Sequence, residues 1–194
     1  MIANLADSIA HLFIKNGWGS DEEREIYRYG CEVIISALIN ILLVAACGCL
    51  FRMVGSAFLF YIVFLILRRY CGGFHADTYL VCNSVFTGIV LVALLGISQC
   101  EKIPTICLAI AMLISFLIIV RYSPISHKNK PLTQSEKTLY RKVAITISGV
   151  FLAITVIFFT VNKKIVTIIT LAMLATACTM IASVIIERRE KHER

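Results

Sequence analysis

The sequence predicts an all-α, polytopic membrane protein with six transmembrane helices and an N-terminal amphipathic helix in the membrane interface. Of its 194 residues, 59% are hydrophobic, and the mean hydropathy is +0.85. Soluble domains are roughly 45–50% apolar. The apolar residues also gather in blocks, and about 20 of them in a row suffice for a helix to cross a bilayer. We therefore expect residues 1–194 to form a single integral membrane domain.

The amphipathic helix is predicted over residues 1–16. Ile2, Leu5, Ile9 and Leu12 recur at helical spacing, with polar residues between them. A helix of this kind lies in the membrane surface. We expect no cleaved signal peptide, because charged residues stand where its apolar region would be. After the helix, the spacing of Ser20 and Glu23 predicts a capping box for the next one.

Six apolar stretches then predict the transmembrane spans, at about 33–51, 53–67, 79–98, 103–120, 143–161 and 165–186. Only Arg52 separates the first two. A single helix over 33–67 would be about 52 Å long, against a hydrocarbon core of about 30 Å. The two stretches are therefore predicted to form a hairpin, and Gly48 and Gly55 flank its turn.

The positions of the basic residues predict the orientation. With the N-terminus inside, 15 of the 19 Lys and Arg residues fall on the cytoplasmic side. The remaining four are Arg52, Lys102, Lys163 and Lys164. The positive-inside rule then places both termini and the loop at 68–82 in the cytoplasm. This distribution also accounts for the net charge of +7, so we expect no nucleic-acid partner.

The eight cysteines do not indicate a metal site. No CxxC pair occurs, and Cys47 and Cys49 lack the spacing of metal ligands. A cysteine in an apolar run packs as a small hydrophobic residue, and this applies to Cys31, Cys47, Cys49, Cys107 and Cys178. We therefore expect neither a metal nor another cofactor. Cys71 and Cys82 are expected to be free thiols in a reducing compartment.

The stretch "RRYCGGFHADTYLVC" at 68–82 carries the main candidate site. His75 and Cys82 have the residue types of a Cys–His dyad, in which the imidazole takes the thiol proton. Each also has an ordinary interpretation, as an interfacial polar residue and as a packing residue. Seven residues span about 10.5 Å along a helix, so the dyad requires the chain to bend. Gly72 and Gly73 suit such a bend, or an ordinary helix C-cap.

The charged residues near this stretch leave alternatives open. Arg68 and Arg69 could anchor the protein at lipid headgroups or bind a carboxylate, from a substrate or from Glu32. Asp77 could cap the third span. The polar loop at 121–142, with Lys128 and Lys130, could set the topology or bind an acidic peptide or anionic headgroups.

Several motifs together resemble the accessory gene regulator B family of bacterial quorum-sensing peptidases. They are "YGCEVI" at 29–34, "RRYCGGFHA" at 68–76 with Cys82 seven residues after its histidine, and "YSPISHKNKPL" at 122–132. The resemblance implies that His75 and Cys82 are the catalytic pair. It further implies that Arg68 and Gly73 are needed for activity and that Glu32 is a functional polar residue. Gly72 receives no catalytic role.

The resemblance also implies a reaction and a partner. Such an enzyme is a thiol protease of the bacterial cell membrane that cleaves a small precursor peptide with an amphipathic leader and an acidic tail. Its cysteine holds the new C-terminus as a thioester, and closure of a thiolactone or lactone ring releases the signal peptide. Members are thought to act as homodimers. The alternatives are a non-enzymatic peptide exporter or transporter, and a membrane thiol acyltransferase acting on lipid. Few ionisable residues in the spans argue against a conventional transporter.

Overall fold

The computed structural model describes residues 2–73, 78–125 and 132–192, and within these ranges the chain forms seven α-helices and no strand. The helices are α1 (Ile2–Lys15), α2 (Arg24–Leu50), α3 (Val54–Cys71), α4 (Tyr79–Ser98), α5 (Thr105–Tyr122), α6 (Gln134–Phe158) and α7 (Lys163–His192). The last six are long and apolar enough to cross a membrane. The all-α fold class and its six candidate spans are therefore confirmed.

The ends of some helices lie outside the predicted spans. α2 begins at Arg24 instead of about 33, and α6 begins at Gln134 instead of about 143. Hydropathy marks only the part of a helix that lies in hydrocarbon, whereas caps set where the helix starts. For α6 the cap is Thr133, whose backbone N–H donates to Glu136 Oε2 at 2.8 Å. The first turns of both helices are polar and extend beyond the apolar run.

The hairpin between α2 and α3 is confirmed. Its turn contains Arg52 in the left-handed region, at a φ of 55°, and the Met53 N–H donates to the Gly48 carbonyl at 2.7 Å. A Cβ on Gly48 would lie 2.9 Å from the Cα of Val54, so the close return of the chain requires glycine there. A Cβ on Gly55 would have no atom within 4 Å, so packing does not require glycine at this position.

α1 packs along the start of α2. Its buried residues are Ala6 and Ala10, and Asp7 forms an ion pair with Arg24 of α2 at 3.0 Å. Leu5 and Leu12 remain exposed, as an amphipathic helix at a membrane surface would present them. The predicted capping box is also present, since the Ser20 N–H donates to Glu23 Oε2 at 3.3 Å. It caps a 3-10 turn at Asp21–Glu23 that leads into α2.

α7 is the central helix of the bundle. It packs against α3, α4, α5 and α6, and its apolar stretch is the most buried of the six. Small and threonine side chains line it, and this allows neighbouring backbones to approach closely. Three of its threonine hydroxyls donate to carbonyls of the same helix, as where Thr176 donates to the Ala172 carbonyl at 2.9 Å, whereas the buried Thr170 hydroxyl has no partner in the described residues.

The helices alternate in direction, so one end of the bundle carries the N-termini of α2, α4 and α6 and the C-termini of α3, α5 and α7. We call this the site end. Backbone contacts close it: the Ile125 N–H, just after α5, donates to the carbonyl of Cys71, the last residue of α3, at 2.9 Å. Arg141 of α6 donates to the Val120 carbonyl of α5 at 3.4 Å. Residues far apart in the chain therefore meet there.

Candidate functional site

Cys82 lies in the first turn of α4 at the site end. Thr78 is the N-cap of this helix: its side chain accepts a hydrogen bond from the Val81 N–H at 3.3 Å, and its carbonyl accepts one from the Cys82 N–H at 3.0 Å. Thr78 thus occupies the N-cap position, whereas Asp77, for which the sequence allowed a capping role, lies outside the described residues. The Cys82 side chain is half-buried, and it stands at the positive end of the α4 dipole.

Residues 70–82 do not form one helix. α3 ends at Cys71 and α4 begins at Tyr79, so the bend that a His75–Cys82 dyad requires is compatible with this connection. Gly72 is the C-cap of α3 and donates its N–H to the Arg68 carbonyl at 3.1 Å. It therefore serves both as a helix cap and as the start of the turn.

The two glycines have conformations that other residues rarely adopt. Gly72 has a φ of 75° and Gly73 a φ of 142°. A Cβ on Gly72 would collide with the Ile125 carbonyl, whereas a Cβ on Gly73 would lie 2.9 Å from Arg68 Nη1 and 3.1 Å from Thr179 Oγ1. Gly72 thus docks the turn on the segment after α5, and Gly73 brings it against α3 and α7.

Arg68 extends from the last turn of α3 into this region. Its guanidinium lies over the Phe64 ring at 5.8 Å, next to Gly73 and Thr179, and it is close enough to Cys82 for the two groups to interact electrostatically. A negative charge that develops near the Cys82 sulfur would therefore face a cation. Arg69 is exposed, with its guanidinium 5.9 Å from the Tyr70 ring.

Glu32 enters the site from α2. Its side chain is only 14% exposed, accepts a hydrogen bond from the Tyr79 hydroxyl at 2.9 Å and lies 3.9 Å from Arg28. Within the described residues, the cation paired with Glu32 is Arg28, so the alternative in which Glu32 binds Arg68 is not found. The Tyr79 bond links the starts of α2 and α4, next to Cys82.

His75, Lys128 and Lys130, together with Asp77, lie outside the described residues. All eight cysteines are described, and none forms a disulfide. In the described ranges, no group of three or more His, Cys, Asp and Glu side chains could hold a metal ion.

Three residues of this region were missed by the sequence analysis: Tyr79, Asn83 and Thr179. A signal for the first two was present, because Tyr79, Asn83 and Thr87 recur every fourth residue in an otherwise apolar span. α2 has a matching series. It comprises Arg24, Arg28, Glu32, Ser36 and Asn40. Thr179 gave no such signal, since only the tertiary packing of α7 brings it to Gly73.

Comparison with known proteins identifies the family of the chain. A family model described as accessory gene regulator B matches residues 6–183. An AgrB-like protein of Clostridium perfringens strain SM101 is 29% identical over 166 residues, covering 81% of this chain and 77% of that protein. A second AgrB-like protein, from strain 13, is 26% identical over 164 residues with the same coverage. No solved structure matches the chain significantly.

Proposed function

Because the chain belongs to the accessory gene regulator B family, which supports a role in quorum-sensing peptide processing, we propose that it is a membrane-embedded cysteine endopeptidase. Cys82 is the nucleophile and His75 the base, and the substrate is a small precursor peptide with an amphipathic leader and an acidic tail. The observation that carries the proposal is the position of Cys82. Its thiol stands in the first turn of α4, within electrostatic reach of Arg68, after a connection that interrupts the helix.

The proposed reaction has two acyl transfers. His75 takes the Cys82 proton, and the sulfur attacks the carbonyl carbon of the scissile peptide bond. The C–N bond then breaks, the imidazolium returns the proton to the leaving amine, and the N-terminal part of the peptide remains on Cys82 as a thioester. A cysteine or serine within that part then attacks the thioester carbonyl while His75 takes its proton. The bond to the Cys82 sulfur breaks, His75 returns the proton to that sulfur, and a thiolactone or lactone ring is closed.

Arg68 has a defined task in this scheme. The carbonyl oxygen becomes negatively charged as the sulfur adds, and a cation within electrostatic range of Cys82 lowers the energy of that charge. Gly73 supports it, because its lack of a side chain leaves room for the guanidinium. Arg69, Lys128 and Lys130 are proposed to attract the acidic tail of the precursor.

The proposal places this chemistry at the cytoplasmic face of a bacterial cell membrane. The asymmetry of the basic residues supports that orientation, because 15 of 19 fall in the sequence segments that the positive-inside rule assigns to the same side as Cys82. The resemblance to the family supports a homodimer.

A single substitution tests the nucleophile. Purified protein is incubated with a synthetic precursor peptide that has an amphipathic leader, an internal cysteine and an acidic tail, and cleavage is followed by mass spectrometry. Cys82→Ala should reduce the cleavage rate by at least about 10³-fold, since the acyl-enzyme cannot form. His75→Ala should reduce it by at least about 10²-fold. Cys107→Ala is the matched control, because Cys107 is an exposed cysteine of α5 outside the proposed site. This variant should cleave the peptide at the wild-type rate.

The same experiment separates the alternatives. A mass increase on Cys82 equal to the N-terminal part of the peptide identifies the peptidase, and a fatty-acyl adduct identifies a lipid acyltransferase. If the Cys82→Ala protein still cleaved the peptide, the assigned nucleophile would be wrong. Transport of intact peptide without an adduct would indicate an exporter.

A further inference from the structure

The residue after Cys82 has a buried polar atom that the fold leaves unsatisfied. Asn83 Oδ1 is buried and has no hydrogen-bond partner in the described parts of the chain. Buried polar atoms in proteins are nearly always hydrogen-bonded, and the exceptions frequently mark sites where a ligand or water completes the bond. In a membrane-spanning helix the cost is higher, because lipid cannot supply a donor.

Polar side chains of α2 and α4 lie near Asn83 at the site end. Tyr79 lies one turn earlier on the same side of α4, and its hydroxyl is held by Glu32 of α2. Glu32 in turn lies 3.9 Å from Arg28, which lines an open cavity of about 600 Å³ between α1 and the start of α2. Arg28, Glu32 and Tyr79 thus form a series of polar contacts from this cavity to the first turn of α4.

The chemistry of these residues indicates which ligand group Asn83 would bind. The unsatisfied Asn83 atom is an acceptor, so the ligand must supply an N–H or O–H donor. A cationic group of a ligand would bind the Glu32 carboxylate in preference to a neutral amide. A neutral backbone N–H is therefore the donor that suits the amide oxygen of Asn83. Cys82 and Asn83 lie in the same turn of α4, with their side chains about 100° apart around the helix axis. A peptide that reaches Cys82 could therefore present a donor to Asn83 from a residue close to the scissile bond.

We propose that Asn83 binds the precursor peptide by accepting a hydrogen bond from a backbone N–H adjacent to the scissile bond, and that Tyr79 and Glu32 form the wall of this subsite. The proposal rests on the proposed function, because it assigns a peptide to the same site. It adds a binding residue that holds the peptide in place while the thioester forms and reacts.

The test measures binding apart from catalysis. A fluorescent form of the precursor peptide is titrated into Cys82→Ala protein in lipid nanodiscs, and its dissociation constant is compared with that of the Cys82→Ala/Asn83→Ala protein. Loss of one hydrogen bond to a buried amide should weaken binding about tenfold. Asn83→Ser in the same background retains an acceptor and should recover part of the affinity.

A matched control is available in α2. Asn40 also has a buried, unpartnered amide oxygen, but it lies two turns beyond Glu32. Cys82→Ala/Asn40→Ala should therefore bind the peptide with unchanged affinity. Equal weakening by both substitutions, or no weakening by Asn83→Ala, would overturn the proposal and would fit a buried water or a purely structural role.

Cleavage by protein with an intact Cys82 distinguishes the two proposals. Asn83→Ala should raise KM about tenfold and change kcat less than twofold, as expected when ground-state and transition-state binding are lost equally. Absence of cleavage by the wild-type protein would refute the peptidase, while the binding measurement would still decide the role of Asn83. Normal cleavage with an unchanged KM in Asn83→Ala would refute only the subsite.

Discussion

The two glycines after α3 are held by different kinds of neighbour, and this difference can be measured. A Cβ on Gly72 meets the backbone carbonyl of Ile125, which cannot move without displacing its chain, and the φ of 75° is itself costly for alanine. We expect Gly72→Ala to lower the free energy of unfolding by more than about 2 kcal/mol. Unfolding in SDS titrations measures this change.

Gly88 provides the control at the same scale. It lies in α4, is exposed, and has no atom within 4 Å of an added Cβ. Gly88→Ala should leave the free energy of unfolding unchanged or raise it by less than about 1 kcal/mol. Equal losses in the two variants would show that the contact between Gly72 and Ile125 does not constrain the fold.

The sequence could predict that the chain bends at these glycines, but not what the bend touches. Adjacent glycines after two arginines are a local signal, visible in the residues themselves. The contact with Ile125 joins positions more than 50 residues apart, and no local pattern encodes it. The same limit applies to Thr179, which reaches Gly73 only because α7 occupies the centre of the bundle.

At the scale of helices, hydropathy predicted the spans well and their ends less well. The apolar run of α4 was expected at 79–98, and the helix covers Tyr79–Ser98 because Thr78 caps it where the apolar run begins. For α6 the cap at Thr133 precedes the apolar run by about three turns, so the helix starts well before the span. Helix ends follow hydrogen bonding to exposed backbone groups, and hydropathy reports only on the bilayer.

The starts of α2 and α4 are joined by the hydrogen bond between Tyr79 and Glu32. Tyr79→Phe removes the donor and leaves a largely buried carboxylate with one bond fewer. Because hydrogen bonds to charged groups contribute about 1.5–3 kcal/mol, we expect a comparable loss in the free energy of unfolding. Tyr29→Phe is the control, since that ring is 64% exposed, and it should change the value by less than about 0.5 kcal/mol. A null effect of Tyr79→Phe would mean that α2 and α4 associate through apolar packing alone.

At the scale of the whole molecule, alternation of the helices brings six termini and the site residues to one end. Composition predicts that six spans exist, and their even number predicts that both termini share a side. It does not predict that the last helix becomes the centre of the bundle, with α3, α4, α5 and α6 around it. The small and threonine residues of α7 permit this position, but a similar composition would also suit a helix at the edge.

Orientation in the membrane is the property of the whole molecule that basic residues determine, and single cysteines can report it. In a variant without native cysteines, Arg52→Cys and Lys102→Cys should react with a membrane-impermeant maleimide on intact cells. Lys137→Cys and Arg189→Cys, at the site end, should react only after the cells are permeabilised. The reason is that transfer of the 15 basic residues in the predicted cytoplasmic segments across the membrane is opposed far more strongly than transfer of the other four. The reverse labelling pattern would place Cys82 outside the cell and would exclude cleavage of a cytoplasmic precursor.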